Sequence, residues 1–184
     1  QDFRAWKWRD QRTNSNADTS ETERKVLLQN GVERVYYIHV PTGLGGGRLL
    51  PLVFVFHGGD QGGALRFVSR TGFNAVADRV GFIVVYPEAL PVWNDGRRTT
   101  ANSPDDVAFI RSLIQDLLRT QNIDRKRIYA TGASAGGIFT LRLACELSNQ
   151  IAAFAPVVAS FPSDYIGFCR PQRPISILMI NGTD

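Results

Sequence analysis

The sequence is poor in the residues that build metal and redox sites. It contains two histidines, two cysteines and one methionine in 184 residues. Because two cysteines and two well-separated histidines do not give the four-ligand spacing of a structural zinc site, we expect neither a metal nor a cofactor. Cys145 and Cys169 fit either two buried thiols or one disulfide, and the disulfide becomes the better choice if the protein is exported.

Long hydrophobic runs are missing as well. The longest, residues 49–56 and 151–162, fall far short of the roughly 20 residues that a helix needs to cross a bilayer, so we expect no membrane partner. The chain begins at Gln1 and shows no apolar leader, which fits a mature protein from which a signal sequence has been removed.

Charge of one sign is not concentrated in one place. The net charge is +4 and the pI is near 9.4, but the arginines are dispersed and the basic cluster Arg125-Lys126-Arg127 is short. We therefore expect no nucleic-acid partner. No Gly-Lys-Ser/Thr follows a glycine-rich turn, and the glycines of residues 42–48 precede a strand without G-x-G-x-x-G spacing. Phosphate loops and dinucleotide-binding loops are thereby excluded.

The sequence does contain an alternation of buried strands and amphipathic helices. Strands are predicted in RKVLLQ and VERVYYIHVP, joined by a hairpin turn at Asn30-Gly31, and in LLPLVFVF, GFIVVYP, RIYATG, IAAFAPVV and ISILMI. Segments in which apolar residues recur at helical spacing lie between several of these strands. This pattern predicts one α/β domain over residues 23–184, with a mostly parallel central sheet and helices on both faces. Residues 1–22 are predicted to be a polar tail.

The clearest helix is predicted to begin near residue 103. Ser103 can cap it, Pro104 suits its first position, and Asp105 and Asp106 complement the positive end of its dipole. Its predicted apolar face comprises Val107, Ile110, Leu113, Ile114, Leu117 and Leu118.

The stretch TGASAGG, residues 131–137, joins a predicted strand to a predicted helix over 135–147 and contains Gly-x-Ser-x-Gly. Small residues flank Ser134 because a tight strand-to-helix turn brings backbones close together. Such a turn exposes the hydroxyl, and the Ala135 amide at the start of the helix points where an oxyanion would form. Ser134 is therefore a candidate nucleophile, the alternative being an ordinary glycine-rich connection.

A second glycine-rich segment, His57-Gly58-Gly59, ends the strand LVFVF. Acyl-transfer enzymes of this architecture take another oxyanion donor from a backbone amide in this early loop, and Gly59 is our candidate. In this chain order the base follows the serine, so His57 is expected to be structural. His39, within a predicted strand, is expected to be a packed or surface residue.

Several linked stretches carry a resemblance to a known family: RVYYIHVP, PLVFVFHGG, FNAVADRVGFIVVYPE, WNDGRR, DDVAFIRSLI, IDRKRIYATGASAGG and LACELSNQIAAFAPV. From about Val32 onward the chain resembles the polyhydroxybutyrate depolymerase and feruloyl esterase group of secreted α/β-hydrolases, within carbohydrate esterase family 1. The resemblance implies an α/β-hydrolase fold and a secreted or periplasmic serine esterase. It implies Ser134 as nucleophile and Gly59 and Ala135 as oxyanion donors. Trp93 would line the acyl or polymer site, the alternative being a tryptophan that anchors its loop.

The resemblance also implies a range of substrates. They are feruloyl or acetyl esters on plant polysaccharide, or polyesters such as polyhydroxyalkanoate, hydrolysed through an acyl-enzyme. Trp93 and Tyr86 hint at an apolar or aromatic acyl site. The sequence does not distinguish between these substrates, and it does not reveal the oligomeric state. For an exported esterase, it predicts a disulfide between Cys145 and Cys169.

The chain departs from the family at its end. Related sequences carry the triad acid at the last Asp of His/Asn-Gly-Thr-x-Asp and the base in a later Gly-His-Thr-type segment, whereas here Asp184 falls on the x position. No histidine follows Ser134. We therefore expect either that the C-terminal part of the domain lies outside these residues, or that the chain is a non-catalytic relative that binds without turnover.

Overall fold

The computed structural model describes residues 22–42, 47–59 and 63–182, which fold around a seven-stranded sheet. The strands are β1 (Glu23–Gln29), β2 (Val32–His39), β3 (Leu50–Phe56), β4 (Ile83–Pro87), β5 (Ile123–Ala133), β6 (Ala153–Val157) and β7 (Ser176–Ile177). The helices are α1 (Gly63–Thr71), α2 (Phe73–Val80), α3 (Asp106–Thr120), α4 (Ala135–Glu146) and α5 (Ser163–Ile166), with a 3₁₀ turn at Arg98–Thr100. Apart from Thr22, the predicted polar tail lies outside the described residues.

The strand order across the sheet is β1-β2-β4-β3-β5-β6-β7. The β1–β2 and β2–β4 pairs are antiparallel and all the others are parallel, which confirms the predicted mostly parallel sheet. At the carboxyl ends of the two central strands, Phe56 of β3 is the register partner of Gly132 of β5. This pairing brings the segment after Phe56 next to the turn that carries Ser134.

The antiparallel edge begins with the predicted hairpin. Asn30 and Gly31 connect β1 to β2 with φ values of 49° and 81°, both in the left-handed region that a two-residue hairpin turn requires. Asparagine and glycine tolerate this region better than other residues, so the prediction of a turn here is confirmed.

Apolar side chains pack on both faces of the sheet. On one face, β3 places Leu52, Phe54 and Phe56 in a cluster with buried residues of α3 and α4. On the other face, Val55 packs with residues of α1, α2 and β4, including Ala64. Strands covered on both sides read as continuous apolar runs, which is why β3 and β4 were recognisable in the sequence.

The start of α3 differs from the prediction. The helix begins at Asp106 and its N-cap is Asp105, whose carboxylate accepts a hydrogen bond from the Ala108 amide at 3.0 Å. A capping side chain reaches the amide three residues ahead, and Asp105 does so better than the predicted Ser103 because the carboxylate is charged and lies at the positive end of the dipole. Ser103 instead offers its carbonyl to the Asn94 side chain.

The last predicted strand, ISILMI, is shorter than expected. Only Ser176–Ile177 forms a strand, and Ile180 adds a single bridge to Val157. The backbone of this stretch still bonds β6, but its side chains are largely exposed. An apolar groove of about 550 Å³ runs along β5, β6 and β7 beside Phe73, on the face of the sheet that carries α1 and α2.

Cys145 of α4 and Cys169 form a disulfide, as predicted. It joins two points 24 residues apart and fastens the segment that contains α5 to α4. None of the helices in the described ranges is long and apolar enough to cross a membrane.

Candidate active site

Ser134 lies where β5 turns into α4. Its backbone has φ 54° and ψ −119°, a region that residues other than glycine seldom occupy and that costs of the order of 1–3 kcal/mol. The Ser134 amide donates to the Val157 carbonyl at 3.0 Å, and its carbonyl accepts from the Ile138 amide at 2.9 Å. The residue is exposed, and its hydroxyl bonds no residue in the described part of the chain. The hydroxyl is therefore free to meet a substrate.

Glycines permit the tight packing of this turn. A Cβ on Gly136 would lie 2.3 Å from the Phe56 carbonyl oxygen and 2.5 Å from that of His57. A Cβ on Gly132 would lie 2.5 Å from the Gly136 carbonyl oxygen. All three distances are far inside van der Waals contact, so α4 can start this close to β3 and β5 only with glycine at these positions.

Gly59 and Ala135 lie side by side at the carboxyl ends of β3 and β5. A Cβ on Gly59 would be 3.9 Å from the Ala135 Cβ. Both residues line a cavity of about 120 Å³ together with Trp93 and Arg97. Ala135 is the first residue of α4, where backbone amides lack intrahelical acceptors and the helix dipole is positive. The two predicted oxyanion donors thus face a common space next to the Ser134 turn.

His57 is buried and both of its ring nitrogens have protein partners. Nδ1 lies 2.7 Å from the Gly58 carbonyl oxygen, and Nε2 accepts from the Ala89 amide at 3.0 Å. A ring held in this way positions the Gly58-Gly59 segment, in agreement with the structural role expected for it. His39 is packed as well, with Nε2 2.8 Å from Asp78 Oδ1.

Glu88 completes the surroundings of His57. Its Oε1 is 3.1 Å from His57 Nε2, and its other oxygen accepts from the Ala64 amide at 2.9 Å. Burial alone raises the pKa of Glu88, but its contact with His57 and the hydrogen bond from the Ala64 amide outweigh this effect and leave that pKa below its usual value. The charged carboxylate links the start of α1 to the segment that bears the oxyanion donor.

Trp93 is 1% exposed and belongs to the core as much as to the cavity. Its ring stacks on Phe139 at 4.8 Å and meets Phe56 edge-on at 5.4 Å, while Nε1 donates to the His57 carbonyl at 2.8 Å. These contacts favour the loop-anchoring alternative, although one edge of the ring lines the 120 Å³ cavity. Tyr86 is buried elsewhere, among residues of α1 and α2, so it does not contribute to this cavity.

Residues 34–160 match the family model described as Esterase PHB depolymerase. The chain belongs to the Esterase PHB depolymerase family. The matched range covers well over half of the chain and includes Gly59, Trp93, Ser134 and Ala135.

Curated relatives of this esterase-family chain carry esterase names. It is 36% identical over 174 residues to the putative esterase NocK of Nocardia uniformis subsp. tsuyamanensis, covering 90% of this chain and 49% of that protein. It is 32% identical over 159 residues to the bifunctional acetylxylan esterase/xylanase XynS20E of Neocallimastix patriciarum, covering 85% of this chain and 22% of that protein. Feruloyl esterase B of Piromyces equi is 32% identical over 157 residues, covering 82% and 29%. The chain thus spans half or less of the length of these relatives.

Solved structures agree on the fold. A thermostable esterase superposes with a TM-score of 0.69 at 23% sequence identity, over 89% of this chain and 47% of that one. A ferulic acid esterase superposes with a TM-score of 0.63 at 18% identity, over 77% and 59%. The chain therefore has the α/β-hydrolase fold that the sequence predicted, with the strand order described above.

Sequence reasoning missed one group of residues in this Esterase PHB depolymerase chain. Arg142 of α4 donates to the Asn94 carbonyl at 2.7 Å and to Glu146 at 2.7 Å. The Asn94 amide donates at 2.6 Å to Asp106, which also accepts from the buried guanidinium of Arg34. Burial raises the pKa of Asp106, and this effect outweighs the lowering of the same pKa by the hydrogen bonds from the Asn94 amide and Arg34. These contacts fix the loop after Trp93 to α4, yet the sequence shows only dispersed arginines.

The acid and the base of the predicted catalytic triad are the last two groups of the site to consider. Asp184 lies outside the described residues, and the histidines of the chain are His39 and His57. Within the described ranges, no three His, Cys, Asp or Glu residues are grouped so that they could hold a metal ion.

Proposed function

We propose that this chain supplies the nucleophile and the oxyanion hole of a secreted serine carboxylic-ester hydrolase. The observation that carries the proposal is the exposed hydroxyl of Ser134, on a strained turn beside Gly59 and Ala135. A strained backbone held by surrounding contacts is characteristic of functional sites, because it preorganises the reacting group. Membership of the Esterase PHB depolymerase family supports the same chemistry.

In the proposed mechanism, Ser134 Oγ attacks the ester carbonyl carbon while its proton passes to a general base. The carbonyl oxygen becomes an oxyanion and accepts hydrogen bonds from the Gly59 and Ala135 amides, each worth about 3 to 4 kcal/mol of barrier lowering. The intermediate collapses, the alcohol leaves with the proton from the base, and an acyl-serine remains. Water activated by the same base then cleaves the acyl-serine, which releases the acid and restores Ser134.

The general base of this proposal lies outside the 184 residues. Both ring nitrogens of His57 are engaged with backbone groups, and His39 contacts Asp78, in α2. Since the relatives are at least about twice as long, the proposed base and acid belong to polypeptide that these residues do not include.

The proposed substrates are feruloyl or acetyl esters of polysaccharide, or polyhydroxyalkanoate-like polyesters. Relatives named acetylxylan esterase and feruloyl esterase support the first group, and the family name supports the second. The disulfide between Cys145 and Cys169 supports an oxidising, extracellular or periplasmic location. The competing function is a non-catalytic binding domain.

Active-site labelling distinguishes the two functions. In protein expressed from the complete reading frame, a fluorophosphonate probe should label the wild type stoichiometrically and Ser134→Ala not at all. Ser160→Ala, which removes another exposed serine, is the matched control and should be labelled normally. No labelling of the folded wild type would contradict the esterase. The kcat/KM values on p-nitrophenyl acetate, methyl ferulate and a hydroxybutyrate oligomer then rank the substrates.

A further inference from the structure

A second cavity lies beside the 120 Å³ cavity. It has a volume of about 370 Å³ and is formed by the loop after Trp93 and the segment 163–169. Arg97 lines both cavities, so the second one adjoins the space in front of the oxyanion donors. A group bound there would be within reach of a substrate whose ester lies at Ser134.

The segment 163–169 is firmly attached to the helix that Ser134 begins. Cys169 is bonded to Cys145 of α4. One turn earlier, the Tyr165 hydroxyl donates to Glu146 at 2.6 Å. Two links to one helix hold this wall of the cavity in place, and a preformed wall lowers the entropic cost of binding.

The opposite wall is fitted against the same segment. Gly96 has φ 92°, and a Cβ there would lie 2.7 Å from the Tyr165 ring, so the loop passes directly against that ring. The Arg98 amide donates to Asp164 Oδ2 at 3.3 Å. The loop and the segment are therefore packed as one unit around the cavity.

The side chains at this cavity combine an aromatic surface with charges of both signs. Phe168 is 75% exposed, the largest value among the large hydrophobic residues in the described part of the chain. The guanidinium of Arg98 bonds no described residue, and the Asp164 carboxylate is exposed. By contrast, Arg97 is held by Asp95. An exposed ring beside an available cation and an available carboxylate needs an occupant that is apolar on one face and polar at its edges.

We propose that this cavity binds the saccharide chain that carries the ester, an inference that rests on the proposed function. A pyranose presents C–H groups on its face and hydroxyls around its rim. The Phe168 ring can take the face, while Arg98 donates to hydroxyl oxygens and Asp164 accepts from hydroxyl protons. The volume lies within the range of small-ligand pockets, whereas the 120 Å³ cavity lies below it and is left for the acyl group.

Other occupants fit less well. An aromatic acyl group would be better served by a closed apolar pocket than by the exposed charges of Arg98 and Asp164. An anion would meet the carboxylate of Asp164 next to the cation that attracts it. A neutral polyester offers no hydroxyl donors along its length for Asp164. A polysaccharide satisfies the ring and both charges at once.

Binding of an unesterified oligosaccharide tests this proposal without catalysis. Xylotetraose should show saturable binding to the protein in saturation-transfer NMR, and Phe168→Ala should weaken it roughly 3- to 10-fold, as expected for loss of an aromatic contact. Phe168→Trp should retain binding, and Arg98→Met should weaken it. Leu28→Ala, at an exposed apolar position on the far edge strand, is the matched control and should leave the affinity unchanged.

The outcomes separate this proposal from the esterase proposal. Labelling of Ser134 without saturable xylotetraose binding would overturn the saccharide site alone, and saccharide binding without labelling would support it while contradicting the esterase. Equal affinities of the wild type, Phe168→Ala and Arg98→Met would also overturn it. Binding of a hydroxybutyrate oligomer, but not xylotetraose, with the same dependence on Phe168 would reassign the cavity to polyester.

Discussion

At the scale of single residues, the turn around Ser134 depends on missing side chains as much as on the serine. Ser134 itself takes the unusual backbone conformation, whereas Gly132 and Gly136 are needed for close approach. The strain at Ser134 is maintained by its neighbours, since its amide and carbonyl are bonded to Val157 and Ile138. Enlarging either glycine should therefore disturb the site and the fold together.

Gly136→Ala should lower the free energy of unfolding by about 1–3 kcal/mol, the usual cost of overpacking, or more. The new Cβ would lie 2.3 Å from the Phe56 carbonyl oxygen, a backbone atom that cannot rotate away. Urea denaturation measures the change. Gly167→Ala is the control, because a Cβ there meets nothing within 4 Å and φ is −67°. Equal stabilities of the two variants would contradict the packing argument.

Tyr165 should make stability depend on alkaline pH. Burial and the hydrogen bond to Glu146 raise the pKa of Tyr165 to about 12. Between the ordinary tyrosine pKa near 10 and about 12, the unfolded chain loses this proton while the folded protein keeps it, so stability falls as pH rises. Tyr165→Phe should remove that part of the slope and be less stable than wild type at pH 9.

Urea unfolding at pH 9, 10 and 11 measures the difference in the free energy of unfolding between the wild type and Tyr165→Phe. Tyr129→Phe is the matched control for loss of a tyrosine hydroxyl, since the Tyr129 hydroxyl bonds no residue within the described ranges. If the difference between the wild type and Tyr165→Phe does not change with pH, the Tyr165 hydroxyl is not held by Glu146.

At the scale of elements, the disulfide ties α4 to the segment that forms one wall of the second cavity. For a separation of 24 residues, loop-closure entropy predicts that replacing both Cys145 and Cys169 by serine lowers the free energy of unfolding by about 3 to 4 kcal/mol. Urea denaturation with and without dithiothreitol measures this. Reductant should have no effect on the double variant, and an unchanged stability of the reduced wild type would show that the link contributes nothing.

The sequence could predict those elements whose conformation is determined by residues close together in the chain. The hairpin at Asn30-Gly31, the buried β3 and the turn at Ser134 are encoded in neighbouring residues, and all three lie where the patterns predicted them. The cap of α3 is Asp105 and not the predicted Ser103, because the sequence offers several residues able to cap a helix within a few positions. The contact between Arg142 and Asn94 joins residues 48 positions apart, and no local pattern reveals such a pair.

The role of Trp93 shows the same limit at the site itself. The motif predicts its position after β4. Whether the ring faces substrate or core depends on Phe139 of α4 and on His57 in the loop after β3. The sequence therefore left two roles open, and tertiary packing favours anchoring.

At the scale of the whole molecule, the sheet is covered unequally. The α3–α4 face carries a continuous core, whereas the opposite face leaves the groove along β5, β6 and β7 open. Leu178, Met179 and Ile180 are exposed next to that groove. An open apolar groove is a surface to which apolar probes or other chains can bind.

The open groove should make the 184-residue chain bind the dye 8-anilinonaphthalene-1-sulfonate. Leu178 lines the groove and is 62% exposed, so Leu178→Glu should place a carboxylate in the dye site and reduce the fluorescence several-fold without unfolding the protein. Leu28→Glu, at a 68% exposed position on β1, is the matched control and should leave the fluorescence unchanged. If both variants reduce the signal equally, or neither does, the dye binds elsewhere and the groove is not the dominant apolar surface of the molecule.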